Sequence, residues 1–217
     1  MSLIHVGRKA LKKFFANPGI FAQAEPLVPS ARLRETPAES VPLALDISTE
    51  KARSELIISP VLVEARRQFG GRISLFSGVD FTIDAEAGLS GVCDFLFSLS
   101  PLQLVVQAPV VAVVEAKNDN IKSRLGQCVA ELMAAQRFNA QRGLELPRLY
   151  GVVTTGSAWK FLRLSGADVV VDEAEYHIDQ LEVILGILVF MIREAQDALE
   201  SQQALQASSM AGADYLP

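Results

Sequence analysis

The sequence predicts one α/β domain in which a mixed sheet is flanked by helices. Three observations lead to this class: a helical pattern comes first, several short β-rich runs follow it, and two further helical stretches occur, one between strands and one after the last strand. The chain has 217 residues, half of them apolar, which is enough for one buried core. We expect an N-terminal extension over 1–45, the domain over 46–205 and a flexible tail over 206–217.

The predicted helices begin and end at recognisable signals. Thr49 or Ser48 is a suitable N-cap for the first domain helix, with Glu50 in its first turn. Pro60 lies inside the apolar pattern of that helix, so we expect a kink there, or a restart capped by Ser59. Two more helices are expected at about 122–141 and 179–205, and a short amphipathic helix suits residues 4–15.

Short runs rich in Val, Ile and Phe predict the strands. They lie at 73–76, 79–84, 92–97, 110–117, 149–154, 159–164 and, as an edge strand, 169–171. The run 110–117 is nearly all Val and Ala before its charged end, which is typical of a central strand covered on both faces. Residues 118–120 break it.

The composition argues against a disulfide-rich secreted protein and against a membrane-spanning one. The two cysteines lack metal-ligand spacing and indicate free buried thiols, and no secretory signal or stretch long enough to span a membrane occurs. We therefore expect a cytoplasmic protein with no membrane partner. The net charge is −5, but residues 172–200 hold eight acidic residues and one basic residue, which leaves +2 for the rest.

Three charged side chains stand at the ends of apolar strands. Asp94 lies in one such run, and Glu115 and Lys117 end another. Because side chains alternate along a strand, Glu115 and Lys117 point to the same face, and Asp94 can reach it if the strands are neighbours. Two carboxylates with the backbone carbonyl of Ala116 suit a hard divalent cation such as Mg²⁺ or Mn²⁺. Lys117 could then orient or deprotonate a water.

This arrangement resembles the PD-(D/E)XK nuclease superfamily over roughly residues 48–190, with Cys93 in place of the proline of the motif. The segment 150–161 is similar to restriction-type N-terminal nuclease domains and to small stand-alone members. The resemblance implies a restriction endonuclease-like fold, with Asp94 and Glu115 as metal ligands and Lys117 as the catalytic lysine. It also implies a role for Gln127 in positioning substrate or water.

The superfamily also carries a glutamate on the helix before the motif. Glu55 is the first choice for that residue, followed by Glu64 and then Glu50. Lys122 and Arg124 follow the motif closely and are candidate contacts for substrate phosphates. The ordinary alternative is that Gln127, Glu55 and these two cations are solvated helix residues, and that Glu115 and Lys117 are polar residues at a strand end.

The sequence therefore predicts a Mg²⁺-dependent nuclease acting on DNA, either alone, as a homodimer or with a separate protein partner. An alternative is a nuclease-fold binding or assembly module with weak or no hydrolysis, which the acidic C-terminal helix favours. A third is another Mg²⁺-dependent phosphoryl hydrolase that uses the same cluster.

Overall fold

The structure is a computed structural model that describes residues 13–117 and 121–213. The helices are α1 Ala31–Ile47, α2 Glu50–Arg53, α3 Ser59–Arg67, α4 Ile121–Ala140 and α5 Leu181–Ala213. The strands are β1 Lys13–Asn17, β2 Ser74–Asp80, β3 Val92–Ser98, β4 Val110–Ala116, β5 Leu149–Thr154, β6 Ala158–Ser165, β7 Asp168–Asp172 and β8 Tyr176–His177. A π turn, Ser54–Ile58, joins α2 to α3, and a 3-10 turn, Ile178–Gln180, precedes α5.

The described strands form one mixed sheet in the order β1-β7-β6-β5-β4-β3-β2, with β8 paired to β6. The pairs β4–β5 and β1–β7 are parallel, and the remaining pairs are antiparallel. The predicted α/β class with a mixed sheet between helices is confirmed. β4 lies between β3 and β5 and is buried along its whole length, as its apolar sequence predicts.

Helices cover both faces of the sheet. Alternate residues of β4 contribute to two different apolar clusters, since successive side chains of a strand point to opposite faces. Val114 packs with residues of α3 and α5, such as Leu62 and Ile184. Val113 packs with residues of α4 on the other face, such as Leu132. The charged end of β4 is thereby held between two packed layers.

The helical segment before the sheet begins where the sequence predicts. The Thr49 side chain accepts a hydrogen bond from the amide of Ala52, as an N-cap should. The predicted cap at Ser59 is wrong, because no side chain caps the start of α3. Instead the π turn connects α2 to α3 and Pro60 sits at the first positions of α3, where a missing amide is tolerated.

The N-terminal region departs from the expected pattern. Residues 13–15, expected in a helix, belong to β1, which pairs with β7. β7 is therefore not the edge strand that the sequence predicted. Phe21 lies in the core against Tyr150 and Phe161, and α1 was not predicted. The rest of the expected helix at 4–15 and the break at 118–120 lie outside the described residues.

Two further details differ from the prediction. The runs 73–76 and 79–84 were expected as separate strands, but 74–80 form the single strand β2. Helix α5 extends eight residues beyond its expected end at 205. The described chain has no helix whose length and apolar character would let it cross a membrane. Both cysteines are free and buried, as predicted.

Candidate active site

The candidate site is built where β3 and β4 lie side by side. Their antiparallel register pairs Phe95 with Val114, which confirms that the two strands are neighbours. Beyond that pair, the amide of Ala116 donates a hydrogen bond to Asp94 Oδ2 over 2.8 Å. The Asp94 carboxylate is thus fixed against the backbone at the end of β4. Ala116 takes part through this amide, and its carbonyl stays a predicted ligand.

Lys117 brings the two carboxylates together. Its Nζ lies 3.2 Å from Glu115 Oε1 and 4.0 Å from Asp94 Oδ2. The Glu115 side chain is fully buried, that of Lys117 is 11% exposed, and that of Asp94 is 28% exposed. The cluster therefore has a buried floor and an opening at Asp94. The sequence prediction that these three residues meet is confirmed.

The backbone around Lys117 is anchored by the neighbouring strand. Its amide donates to the carbonyl of Thr154 over 2.8 Å, and the parallel register places Glu115 opposite Val153. Parallel strands end at the same edge of the sheet, so the end of β5 forms one wall of the site.

The glutamate that reaches the site from the first helical segment is Glu50. Its Oε1 lies 3.2 Å from Lys117 Nζ. Glu50 was the third choice from sequence, and Glu55, the first choice, is not brought to the site. Glu55 is 60% exposed and pairs with Lys51 over 2.5 Å on the outer side of the helix. Glu64 is buried elsewhere, where its carboxylate accepts hydrogen bonds from the amide and hydroxyl of Ser30.

Helix α4 contributes a further carboxylate that sequence reasoning missed. The Gln127 amide donates to Glu131 Oε1 over 3.3 Å, and Glu131 in turn faces Glu115. Gln127 therefore lies at the site, acting on Glu131. Its spacing of four residues from Glu131 was the available signal, because residues i and i+4 share a helix face.

The two cations predicted to contact substrate are placed differently from one another. Arg124 donates to Gln127 Oε1 over 3.1 Å, so it belongs to the same hydrogen-bonded series of side chains on α4 as Gln127 and Glu131. Lys122 is exposed near the start of α4. Their contact with a substrate phosphate stays a prediction.

Burial and crowding of carboxylates set the electrostatics. Burial first, and then the charge of Asp94, raise the pKa of Glu115. Burial and then the charge of Glu115 raise the pKa of Glu131 to about 9. Burial also raises the pKa of Asp94, although the Ala116 amide opposes this. Burial acts to lower the pKa of Lys117, but the charges of Glu115 and Asp94 outweigh it and raise that pKa.

The residues present fit a divalent cation. Both carboxylate oxygens of Glu115 are buried and accept no well-aligned hydrogen bond from the described residues, although the Lys117 ammonium lies 3.2 Å from Oε1. Among those residues, Oε2 has no such counter-charge, which is costly unless a ligand compensates it. Within 13–117 and 121–213, no group of three or more His, Cys, Asp or Glu side chains is arranged to hold a metal. Asp94 and Glu115 alone suit an ion such as Mg²⁺, which commonly takes one or two carboxylates and keeps several waters.

Comparison with known proteins found no relative of this chain. No protein-family model matches the chain. No curated protein and no solved structure matches it either. The inference about function therefore rests on the side chains described above.

Proposed function

We propose that this protein is a Mg²⁺-dependent nuclease that hydrolyses DNA phosphodiester bonds, with a restriction endonuclease-like version of the mixed sheet. One observation carries the proposal: Asp94, the fully buried Glu115 and Lys117 converge at the adjoining ends of β3 and β4. A fully buried carboxylate beside a second, partly exposed one is costly to keep charged, and a single ammonium offsets only part of that cost. This arrangement agrees with the residue roles that the PD-(D/E)XK resemblance implies.

Asp94 and Glu115 would hold the ion, with the Ala116 carbonyl as a third oxygen ligand. Mg²⁺ or Mn²⁺, when bound, would neutralise the carboxylates, polarise a phosphate oxygen and make water more acidic. Asp94 faces the opening of the cluster, so its carboxylate is the ligand nearest to an incoming phosphate. Glu115 forms the buried side of the same set.

Lys117 would handle the proton of the attacking water at its Nζ. Glu115 and Asp94, whose charges raise the pKa of Lys117 most, would be neutralised in the loaded site, so that pKa would fall toward a range in which proton transfer is effective, although Glu50 would still oppose the fall. Neutral Nζ would accept a proton from the water as the water oxygen bonds to phosphorus. The bond from phosphorus to the leaving sugar oxygen would break, and that oxygen would take a proton from solvent water. Glu50 fixes the direction of Nζ through its contact.

Gln127 and Glu131 would act as positioning residues behind Glu115. The hydrogen bond from Gln127 sets the orientation of the Glu131 carboxyl. Glu131 would then limit the rotamers open to Glu115. A carboxylate that binds a metal ion needs a fixed orientation, because either of its two oxygens could bind. One such site cuts one strand, so a second copy or a partner protein is the simple route to double-strand cleavage. We place this activity in the cytoplasm.

The test is cleavage of supercoiled and single-stranded DNA with Mg²⁺ or Mn²⁺, together with calorimetry of metal binding. The wild-type protein should cleave only with metal, and Asp94→Ala and Lys117→Ala should each abolish cleavage. Glu55→Ala is the matched control, because Glu55 is exposed on the outer side of the helix. Absence of both cleavage and metal binding in the wild type would refute the nuclease and favour a binding or assembly module. Metal binding without DNA cleavage would favour another phosphoryl substrate.

A further inference from the structure

Arg53 lies beside the candidate site on the same helical segment as Glu50. The two residues are three positions apart on α2, a spacing that places side chains on one helix face. Glu50 reaches Lys117 Nζ, while Arg53 Nη1 donates to the carbonyl of Thr155 over 3.0 Å. Thr155 follows Thr154, whose carbonyl accepts the Lys117 amide. Arg53 therefore flanks the edge of the sheet at which Lys117 stands.

The charge of Arg53 has no counter-charge among the described residues. In the part of the chain that the structure describes, Arg53 forms no ion pair, although carboxylates crowd the neighbouring site. Its Nε is buried and has no hydrogen-bond partner among those residues. Nε is therefore closed to a ligand, whereas Nη2 is not among the buried donors. A partly buried guanidinium without a counter-charge favours the approach of an anion at its open end.

The guanidinium is also held in place. Thr49 caps α2 at one end, and the π turn that follows α2 packs Ile57 against Gly156 of the loop after β5. That loop carries the Thr155 carbonyl to which Arg53 donates. A preorganised guanidinium loses little entropy when it binds an anion, which favours a recognition role over an incidental surface charge.

We infer that Arg53 binds a phosphate of the nucleic-acid backbone next to the phosphate that is cleaved, and so positions the strand over Asp94. This inference rests on the proposed nuclease function. Guanidinium donors match phosphate oxygens in two-point hydrogen bonds, and backbone contacts of this kind fix the register of a nucleic acid without reading its sequence. Arg53 is a substrate-positioning residue, and Lys51, which points outward to Glu55, is not.

The experiment measures kcat and KM for Mg²⁺-dependent cleavage of a labelled DNA duplex at salt concentrations between about 50 and 200 mM. It compares the wild type with Arg53→Gln, Arg53→Lys and the control Lys51→Gln. Arg53→Gln should raise KM about tenfold, since it removes a charge-assisted contact. It should also reduce the slope of log(kcat/KM) against log[salt] by about 0.9, the value for one lost phosphate contact. Arg53→Lys keeps the charge and should keep the slope.

A purely structural role for Arg53 would not change the salt dependence. An unchanged slope in Arg53→Gln, or an equal change in Lys51→Gln, would overturn the inference while leaving the nuclease in place. If Arg53→Gln does not fold, Arg53→Lys decides by its KM, which should rise because a lysine cannot form the two-point contact; an unchanged KM overturns the inference. Lack of cleavage in the wild type would instead refute the proposed function, and the inference with it.

Discussion

The Lys117 ammonium lies 3.2 Å from Glu50 Oε1, across a separation of 67 residues in the sequence. Lys117 is almost enclosed, whereas the Glu50 side chain is 43% exposed. A partly exposed pair of this kind contributes little to stability, about 0–1 kcal/mol, because solvent screens it. The contact is therefore better explained by the direction it gives to Nζ than by the energy it adds to the fold.

Replacing Glu50 should impair catalysis far more than stability. In Glu50→Gln, Lys117 keeps Glu115 and Asp94 as counter-charges, while its partner at position 50 becomes a neutral amide oxygen that holds Nζ less firmly. We expect kcat to fall by about tenfold, which is less than the roughly 10²–10⁴-fold that a general acid or base itself contributes. The melting temperature should change by less than about 4 °C. The exposed Glu55→Gln is the control for steady-state cleavage and calorimetric melting, and equal loss in both variants would contradict the assignment.

Glu115→Gln should separate metal binding from folding. Glutamine keeps the shape of the side chain and removes a buried charge whose pKa is raised by burial and by Asp94. Above neutral pH and without metal, we expect a gain of about 1 kcal/mol in unfolding free energy, or about 2–4 °C in melting temperature. Mg²⁺ should raise the melting temperature of the wild type but not of the variant. A less stable variant that still responds to Mg²⁺ would exclude Glu115 as a ligand.

Sequence reasoning located the centre of the site because strand chemistry is local. The apolar run before Glu115 identified a covered strand, and alternation put Glu115 and Lys117 on one face. Strand alternation could not decide which glutamate of the first helical segment reaches the site. Glu55 is surrounded by apolar residues in the sequence, yet it points outward to Lys51. The π turn Ser54–Ile58 breaks the regular helical period that such a choice assumes.

Two other features depend on contacts that no local pattern encodes. Glu131 joins the site only because α4 packs its face against β4, so its neighbours come from distant segments. α1 was missed because it lies in a Pro-punctuated region with little apolar periodicity, whereas residues 13–15 of β1 were assigned to the expected amphipathic helix over 4–15. Tertiary pairing with β7 gives β1 its strand conformation, and that pairing partner lies about 155 residues further along the chain.

The stability of the metal-free protein should depend on pH through Glu131. Burial and the charge of Glu115 raise its folded-state pKa to about 9 from an ordinary value of 4.5. A carboxyl with a raised pKa favours the folded state fully below 4.5, and this contribution is lost as the pH rises towards 9. The wild type should therefore become easier to denature with urea between about pH 6 and pH 9, whereas Glu131→Gln should lose much of that trend.

The exposed Glu145→Gln on the loop after α4 is the matched control for Glu131→Gln, and it should keep the wild-type trend. Repeating the urea series with saturating Mg²⁺ adds a second comparison. An ion held by Glu115 neutralises the charge that Glu131 faces, so the pH dependence should become shallower in the wild type. An identical pH dependence in the wild type and Glu131→Gln would show that Glu131 does not hold the proton.

Gly186 should be intolerant of a side chain, although it lies inside α5. Helix propensity alone predicts that alanine there stabilises by about 1 kcal/mol. A Cβ at this position would lie 2.2 Å from the carbonyl oxygen of Glu25, a backbone atom that cannot rotate away. The segment around Glu25 is tied to α5 by the hydrogen bond from the Leu27 amide to the Glu182 carbonyl. Gly186→Ala should therefore destabilise by about 2 kcal/mol and lower the melting temperature by about 4–8 °C. Because the two effects have opposite signs, a rise in melting temperature would show that the segment before α1 does not pack on α5.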